Sequence, residues 1–304
     1  MGVINTNTHP KLLWPGIKAI WGDYFYNRHP EEFSKIFDVD TSDMAFEEHQ
    51  GITGFGLAPQ KTEGAAIIFD DEKNGYNKRY THVAYALGYI VTREELDDNL
   101  YEKVSSRRAP AVARSMRQTV ETVNANHLNR ATSGSYLGPD GVALLSTAHP
   151  NINGGTWSNR PSSATDLSEA SIEDLVIQIM NTKDDRGLHM QLMPKSLIVP
   201  TNEYFNAHRI LDSVGQSGTA NNDANVLKSQ GVFPDGIVMN HYLTDTDAWF
   251  IKTDCMYGLT HLWRTKPVFD KDNDFNTKNL LASGYMRFSS GWTDARGVFG
   301  SPGA

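Results

Sequence analysis

The hydrophobic pattern is sharpest between Val83 and about Thr132. Val83, Tyr85, Leu87, Tyr89 and Val91 alternate with Ala84, Ala86, Gly88 and Ile90, a period of two that predicts a strand with one large apolar face and one mostly small face. Small residues let another element approach that second face closely. Thr92 follows, with Glu95 three positions on, so hydroxyl and carboxylate can each satisfy a backbone N–H at a helix start. Val91 and Leu96 have the spacing of a hydrophobic staple around that start. Leu96, Leu100 and Val104, then Val112, Met116, Val120 and Val123, recur at helical spacing and predict a helix to about Thr132. Pro110 predicts a kink or restart within it, because proline removes one N–H and crowds the preceding turn. Asp97, Asp98, Lys103, Arg107, Arg108, Arg114, Arg117 and Glu121 occupy the other face, predicting a long helix with one solvated side.

Upstream, the run from Gln50 to Asn77 holds Gly51, Gly54, Gly56, Pro59, Gly64 and Gly75 among charged residues. Only Ala65 to Phe69 reads as a short apolar strand there. A polar two-stranded arm of this length, with few core residues, is uncommon inside a compact domain unless it is functional or disordered. It asks for a partner. Residues 1–45 read as an N-terminal arm with one amphipathic helix, Leu13, Ile17, Ile20 and Tyr24, closed by His29-Pro30.

Beyond the long helix, Gly134 to Arg160 is rich in Gly, Ser, Asn and Pro and reads as loops. Ser168 or Ser171 opens a helix that buries Ile172, Leu175, Val176, Ile179 and Met180. Leu197 to Val199 is a short buried strand ending at Pro200, and Thr201 caps a helix through Leu211. Gly215 to Asn225 is a Gly/Asn/Ser loop expected to be exposed and mobile. Ile237 to Met239 and Ala248 to Lys252 are strands, separated by a turn at Thr244 to Asp247. From Trp263 the chain turns to Pro267, passes an acidic turn at Asp270 to Asn276, and continues in Leu280 to Arg287 and a strand-like tail. Strands and helices alternating from about 136 to 265 indicate a mixed central domain.

The 304 residues suffice for one large or two modest cores. A net charge of -8, with 39% hydrophobic and 21% charged residues, argues against a protein that grips a nucleic-acid backbone, which needs clustered Lys and Arg. Cys255 is the only cysteine, so an intrachain disulfide and a multi-thiolate zinc site are excluded, and a reducing place of synthesis fits. No run approaches the roughly 18 apolar residues that a membrane span requires. The N-terminus has neither the basic start nor the apolar core of a signal peptide. Gly2 and Thr6 match a short myristoylation pattern that nothing else in the chain supports.

No Gly-rich phosphate loop, Gly-x-Ser-x-Gly or His-Glu-x-x-His occurs, so the usual anchors of nucleotide, serine-hydrolase and zinc-protease chemistry are missing. Asp270, Asp272 and Asp274 imitate half a calcium loop, but Phe275 stands where Gly is needed and Leu281 where Glu is needed. His149, His189, His208, His241 and His261 lack metal-ligand spacing and read as surface or hydrogen-bonded structural histidines. Cys255 reads as a small buried hydrophobe. No catalytic, cofactor or metal residue is assigned, and the protein is read as a non-enzyme. The competing class is a soluble α/β enzyme with a site near His208, Asp212 and His241.

The order of parts is itself informative. A polar arm, TREELDDN opening a long helix, DGVALLSTAHPN, KSLIVPTNEYFNAHRIL, DAWFIKTD and NLLASGYMRFSSGWTDARGVFGSPG together resemble the major capsid proteins of tailed phages, most of all the Mu-like head subunit group. The resemblance covers nearly the whole chain. It implies an α+β Hong Kong 97-type fold with an N-terminal arm (1–45), an extended β-hairpin loop and the strand leading to the spine (46–91), a spine helix of the peripheral domain (92–135), an axial domain (136–265) and C-terminal strands returning to the peripheral domain (266–304). It further implies a virion shell assembled in the host bacterial cytoplasm from hexamers and pentamers. The shell encloses double-stranded DNA without sequence-specific binding, with no cofactor and no membrane partner. The Gly215 to Asn225 loop would point to a capsomer axis. The arm begins almost at the N-terminus, so a separate scaffolding protein, or cleavage before this numbering, is implied; a portal and possibly a decoration protein are the other partners. Lys61, Lys73 and Lys78 are the lysines available for the covalent cross-link that some members form. Trp14, Trp21, Tyr76, Tyr80, Trp263 and Trp292 are the candidate assembly anchors.

Overall fold

The computed structural model describes residues 13–98, 101–215 and 225–304. Helix α1 (Leu13–Tyr26) and the one-turn α2 (Phe33–Ile36) precede strand β1 (Asp38–Thr41). Next come a hairpin, β2 (Phe46–Ile52) and β3 (Asn74–Thr81), then β4 (Val83–Val91), α3 (Arg93–Asp97) and the spine helix α4 (Tyr101–Asn129). Two-residue strands β5 (His149–Pro150) and β6 (Thr156–Trp157) lead to α5 (Glu169–Met180), β7 (Pro194–Pro200), α6 (Tyr204–Asp212) and α7 (Val226–Gln230). The chain ends with β8 (Ile237–Asn240), β9 (Trp249–Thr253), β10 (Leu259–Asn273), β11 (Leu280–Trp292) and β12 (Val298–Ser301).

Two sheets organise these elements. The first has the order β1-β10-β11-β4, with β1 parallel to β10 and the other pairs antiparallel. The second has the order β12-β9-β7-β8, with only β7 and β8 parallel. The sequence boundary at 265 falls inside β10, and the last strand, β12, pairs with β9 in the second sheet. The chain therefore crosses between the sheets more often than a linear division into segments suggests. At one crossing Gly297 lies against Gly258, where an added Cβ would sit 2.4 Å from the Gly258 Cα. At another, the buried Asn159 amide donates to the carbonyls of Leu144 (2.6 Å), Ala295 (3.2 Å) and Val298 (3.0 Å). Its oxygen accepts from the Ser146 N–H at 2.9 Å. One side chain thus links three carbonyls and one N–H from well-separated parts of the chain, its two amide protons being shared among the three carbonyls.

The spine helix departs from its sequence reading in three ways. Helix α4 continues through Pro110 without a restart, whereas α3 and α4 are separate elements on either side of Asp98. The Glu95 N–H donates to the Thr92 hydroxyl at 3.3 Å, as the cap spacing requires. Leu100 lies outside the described residues. Val112, Met116 and Val120 are buried toward the first sheet, where Gly284 of β11 lets Met116 come so close that a Cβ would overlap its sulfur.

The third difference lies on the face read as solvated. Arg117 is 1% exposed and Glu121 2%, because α1 and α2 fold back over this side of α4. In α1 the buried positions are Ile17, Trp21 and Phe25, while Ile20 is exposed. Of the reading from Leu13, Ile17, Ile20 and Tyr24, Ile17 is buried and Tyr24 packs partly buried against the core, whereas Trp21 and Phe25 take the place of Ile20; the Leu13 side chain lies outside the described residues. Trp21 stacks on Phe25 (5.3 Å) and on Phe269 of β10 (5.4 Å). Residues 13–41, read as an arm, thus supply core aromatics.

The charged pair is buried with partial compensation: both Glu121 oxygens accept backbone N–H groups and Arg117 Nη1 is hydrogen-bonded, while Arg117 Nε and Nη2 have no hydrogen-bond partner among the described residues. Arg117 Nη1 donates to Glu31 at 2.8 Å and Nη2 lies 3.5 Å from Glu121. The guanidinium sits 5.5 Å from the ring centroids of both Phe25 and Phe33. Glu121 accepts from the N–H groups of Glu32 (3.1 Å) and Phe33 (2.9 Å), satisfying the orphan donors at the start of α2. Glu32 in turn accepts from the His241 N–H at 2.9 Å. Burial pushes the Glu121 carboxyl up and the Arg117 guanidinium down, and each is partly drawn back by the other.

Other local readings also shift. Ala65 to Phe69 is irregular and exposed, since the loop offers no strand to pair with. Met180 at the end of α5 is exposed, although Ser168 and Ser171 do form the reciprocal cap and Ile172, Leu175, Val176 and Ile179 are buried. Helix α6 starts at Tyr204 after a turn, without a side-chain cap from Thr201. Strand β10 passes straight through Pro267, with register shifts between Trp263, Thr265 and Val268. Such irregularities let a proline sit in a strand it cannot hydrogen-bond within. The tight turn is then at Asp274 to Asn279, because Asp270 and Asp272 extend β10.

Two expectations follow from the core. Arg117→Met strands the Glu121 charge and lowers stability by about 3–5 kcal/mol, whereas Arg117→Met/Glu121→Gln recovers part of that loss; urea denaturation measures both, and equal losses would show that the stranded charge costs nothing. Acid is the second. Burial, with Lys78 and Arg130 nearby, pulls His127 down to about 4, and burial pulls His261 down to about 3. Both folded values lie below the unfolded value of about 6.5, so the unfolded chain binds more protons and stability falls as the pH drops from about 6.5 toward 4. The raised Glu121 carboxyl opposes this trend in part. A urea midpoint unchanged between pH 7 and pH 4.5 would rule out the histidine contribution.

Candidate assembly surface

The β2–β3 hairpin carries a loop, residues 53–73, that is exposed along nearly its whole length. The ladder runs from Phe46 opposite Thr81 to Ile52 opposite Asn74. Its base is fixed by Tyr80, which is buried and shares a 2.8 Å hydrogen bond with Thr293. Farther out, the contacts with the rest of the chain are polar. The Tyr76 hydroxyl donates to the Pro150 carbonyl at 3.2 Å, Lys73 Nζ donates to Asn153 at 3.0 Å, and Arg186 reaches Asp70 and the Asp71 carbonyl. The arm is therefore latched to its own chain, mainly by exposed or half-buried polar groups, with one ring contact between His49 and Tyr257 at 5.0 Å. Exposed polar pairs contribute about 0–1 kcal/mol each.

The apolar residues of this loop have no such cover. Leu57 is 82% exposed and Phe69 91%, and Ile52, Phe55, Ile67 and Ile68 are also exposed. Large side chains clustered on one protruding loop are the chemistry of a surface that a partner covers. Strand β4 adds a second open feature. It is the edge of the first sheet, and Ala84, Ala86, Gly88 and Ile90 all face solvent. The small face expected to admit another element is bare in the single chain.

The sequence candidates distribute differently. Trp21, Tyr80, Trp263 and Trp292 are buried and Tyr76 is half-buried, so their aromatic area belongs to the monomer's core. Trp14 lies where side chains are outside the described residues. The most exposed aromatics among the described residues are instead Phe55, Phe69, Phe205 and Phe275, none of which has a periodic signal to mark it. Lys61 is exposed, Lys73 is held by Asn153, and Lys78 is half-buried beside Trp292. The loop read at Gly215 to Asn225 is mostly outside the described residues; its margins Val214 and Val226 are exposed.

The enzyme constellation does not come together. His208 pairs with Asp212 along α6 at 2.5 Å, whereas His241 is engaged with Glu32. His261 and His149 are buried structural rings, the first against Asn124 and three aromatic rings, the second between Asp140 and Asn159. His189 is exposed. Cys255 packs in the second core, where burial pushes its thiol up and away from reactivity. Asp274 accepts from the Asn276 N–H and the Thr277 hydroxyl and shapes the turn, while Asp270 and Asp272 stand in β10. Among the described residues, no group of three or more His, Cys, Asp or Glu is arranged to hold a metal ion. No described helix is long and apolar enough to cross a membrane.

The fold is similar to that of a virus-like particle from Pyrococcus furiosus, at 11% identity over 95% of this chain and 98% of that one, with a TM-score of 0.55. A structure from Microbacterium phage Oxtober96 is similar at 10% identity, 90% and 92% coverage and a TM-score of 0.54. The capsid of a native GTA particle is similar at 11% identity, 99% and 91% coverage and a TM-score of 0.54. No curated protein sequence matches the chain. The architecture is thus the α+β capsid fold of the Hong Kong 97 type. A family model described as phage capsid protein matches residues 75–300, from within β3 into β12, and the chain belongs to the phage capsid protein family.

Proposed function

We propose that many copies of this chain form the head of a tailed phage, with the hairpin of each subunit laid over a neighbour in a closed shell of hexamers and pentamers around double-stranded DNA. The observation that carries this is the set of bare apolar side chains on residues 53–73, which the chain itself leaves uncovered. Shells of this kind use repeated heterologous contacts closed by symmetry, and a long protruding arm suits such a contact. The net charge of -8 supports a lining that leaves packed DNA free to slide.

Within that reading, residues 92–135 with the C-terminal strands form the peripheral domain and residues 136–265 the axial domain, whose 215–225 loop points to the capsomer axis. Assembly takes place in the host bacterial cytoplasm, with a scaffolding protein and a portal as partners and a decoration protein as a possible addition. The chain acts as a structural protein without catalysis.

Negative-stain electron microscopy of the purified chain, alone and with its scaffolding partner, tests the reading. Shells, tubes or capsomer rings are expected, and a uniform monomer under all these conditions would refute it. Phe69→Asp separates folding from assembly. A side chain this exposed contributes within about 0.5 kcal/mol to the stability of the single chain, so its melting curve is expected to stay in place while particle yield falls. Normal yield from Phe69→Asp would show that the loop apex makes no contact in the shell.

A further inference from the structure

A cleft of about 520 Å³ opens between the base of the hairpin, the C-terminal end of the spine helix and the loop after it. Lys78, His127 and Arg130 line it together with the aromatic rings of Tyr85, Tyr136 and Trp292, and no carboxylate does. Lys78 Nζ lies 5.6 Å from the Trp292 ring centroid, and the Arg130 guanidinium lies 4.3 Å from that of Tyr136. Neither cation forms an ion pair with a carboxylate among the described residues. In a chain of net charge -8, two cations sharing an aromatic cleft without an acid form a site built for an anionic group beside an apolar one.

The chain carries one exposed segment with the complementary chemistry. Phe69, bare to solvent, is followed directly by Asp70, Asp71 and Glu72, all exposed. Asp70 and the Asp71 carbonyl meet Arg186 of their own chain through exposed contacts that are easily exchanged, and Glu72 forms no ion pair with a described residue. We infer that this cleft receives the Phe69-to-Glu72 segment of a second copy, the ring among Tyr85, Tyr136 and Trp292 and the carboxylates against Lys78 and Arg130. Opposite charges placed this way fix register and exclude wrong pairings, because like charges in the same position are strongly repelled. The inference rests on the shell-forming reading and names the place where the arm lands.

Charge exchange tests it. Particle yield is compared for the unaltered chain, K78E/R130E, D71K/E72K and the fourfold combination, with thermal melting as the folding control. Each double substitution is expected to lower yield at least about tenfold, corresponding to about 1.4 kcal/mol per contact, and the combination to regain most of it. Unaltered yield from K78E/R130E, or no recovery in the combination, would overturn the proposal. Should K78E/R130E fail to fold, K78Q/R130Q replaces it and is expected to lose yield in the same direction; full yield would count against the cleft. Should the unaltered chain form no particles, which would count against the shell reading itself, a peptide of residues 66–73 is titrated into the full chain while Trp fluorescence is followed. Saturable binding lost in K78Q/R130Q sustains the site, and absence of binding ends it. A duplex oligonucleotide that binds through the same two cations and is not displaced by the peptide would assign the cleft to nucleic acid and overturn the proposal.

Discussion

The fold depends on burying the spine helix from two sides. Val112, Met116 and Val120 press onto the first sheet, while Arg117 and Glu121 on the adjacent face are sealed beneath α1 and α2. The sheet side is set by apolar packing and by Gly284, which permits the close approach of Met116. The other side is set by an ion pair that is costly to desolvate unless every remaining lone pair and N–H has a use. Glu121 meets that condition by accepting the two backbone N–H groups that open α2, whereas Arg117 meets it only at Nη1, leaving Nε and Nη2 without hydrogen bonds among the described residues. Through Glu32 the same cluster reaches His241 beside the second sheet. A polar network thus fixes how the N-terminal segment, the spine and the second sheet meet, where apolar packing alone would tolerate slippage.

The hairpin follows the opposite principle. Its base is tied to the core through Tyr80, and its middle is held by polar contacts at Tyr76, Lys73 and Arg186. Its apolar residues are left bare. A firmly rooted arm keeps its direction, and weak latches leave it free to exchange contacts. The proposed packing over a neighbour uses both: the position of the arm is specified by one chain, while its burial would be completed by another.

Much of this was legible from residues alone. The alternation in Val83 to Val91, the Thr92 cap and the Val112, Met116, Val120 stripe follow from local periodicity, and each stands where it was placed. So do the Ser168 and Ser171 cap, the buried face of α5 and the length of the polar arm. The order of these parts carried the family resemblance, which the family match supports. What failed to show were contacts between positions far apart in sequence. Arg117 and Glu121 have the composition of a solvated face, and nothing nearby in the chain signals that residues 31–33 will cover them. Trp21, Tyr80, Trp263 and Trp292 look like interface anchors by residue type, yet they are spent on the core.

The sequence by itself determined the local elements, the absence of the familiar catalytic motifs and the polar, glycine-rich character of the 46–80 region. Backbone propensity, capping and hydrophobic period are short-range properties, readable within a window of one or two turns. The tertiary structure alone decided which faces are dry: that α1 packs back on the spine, that β12 joins the second sheet, that Pro267 passes within a strand. It also decided that Lys78 and Arg130, 52 positions apart in the numbering, share one acid-free cleft. Desolvation and charge proximity are sums over everything nearby in space, and only the folded chain specifies that neighbourhood.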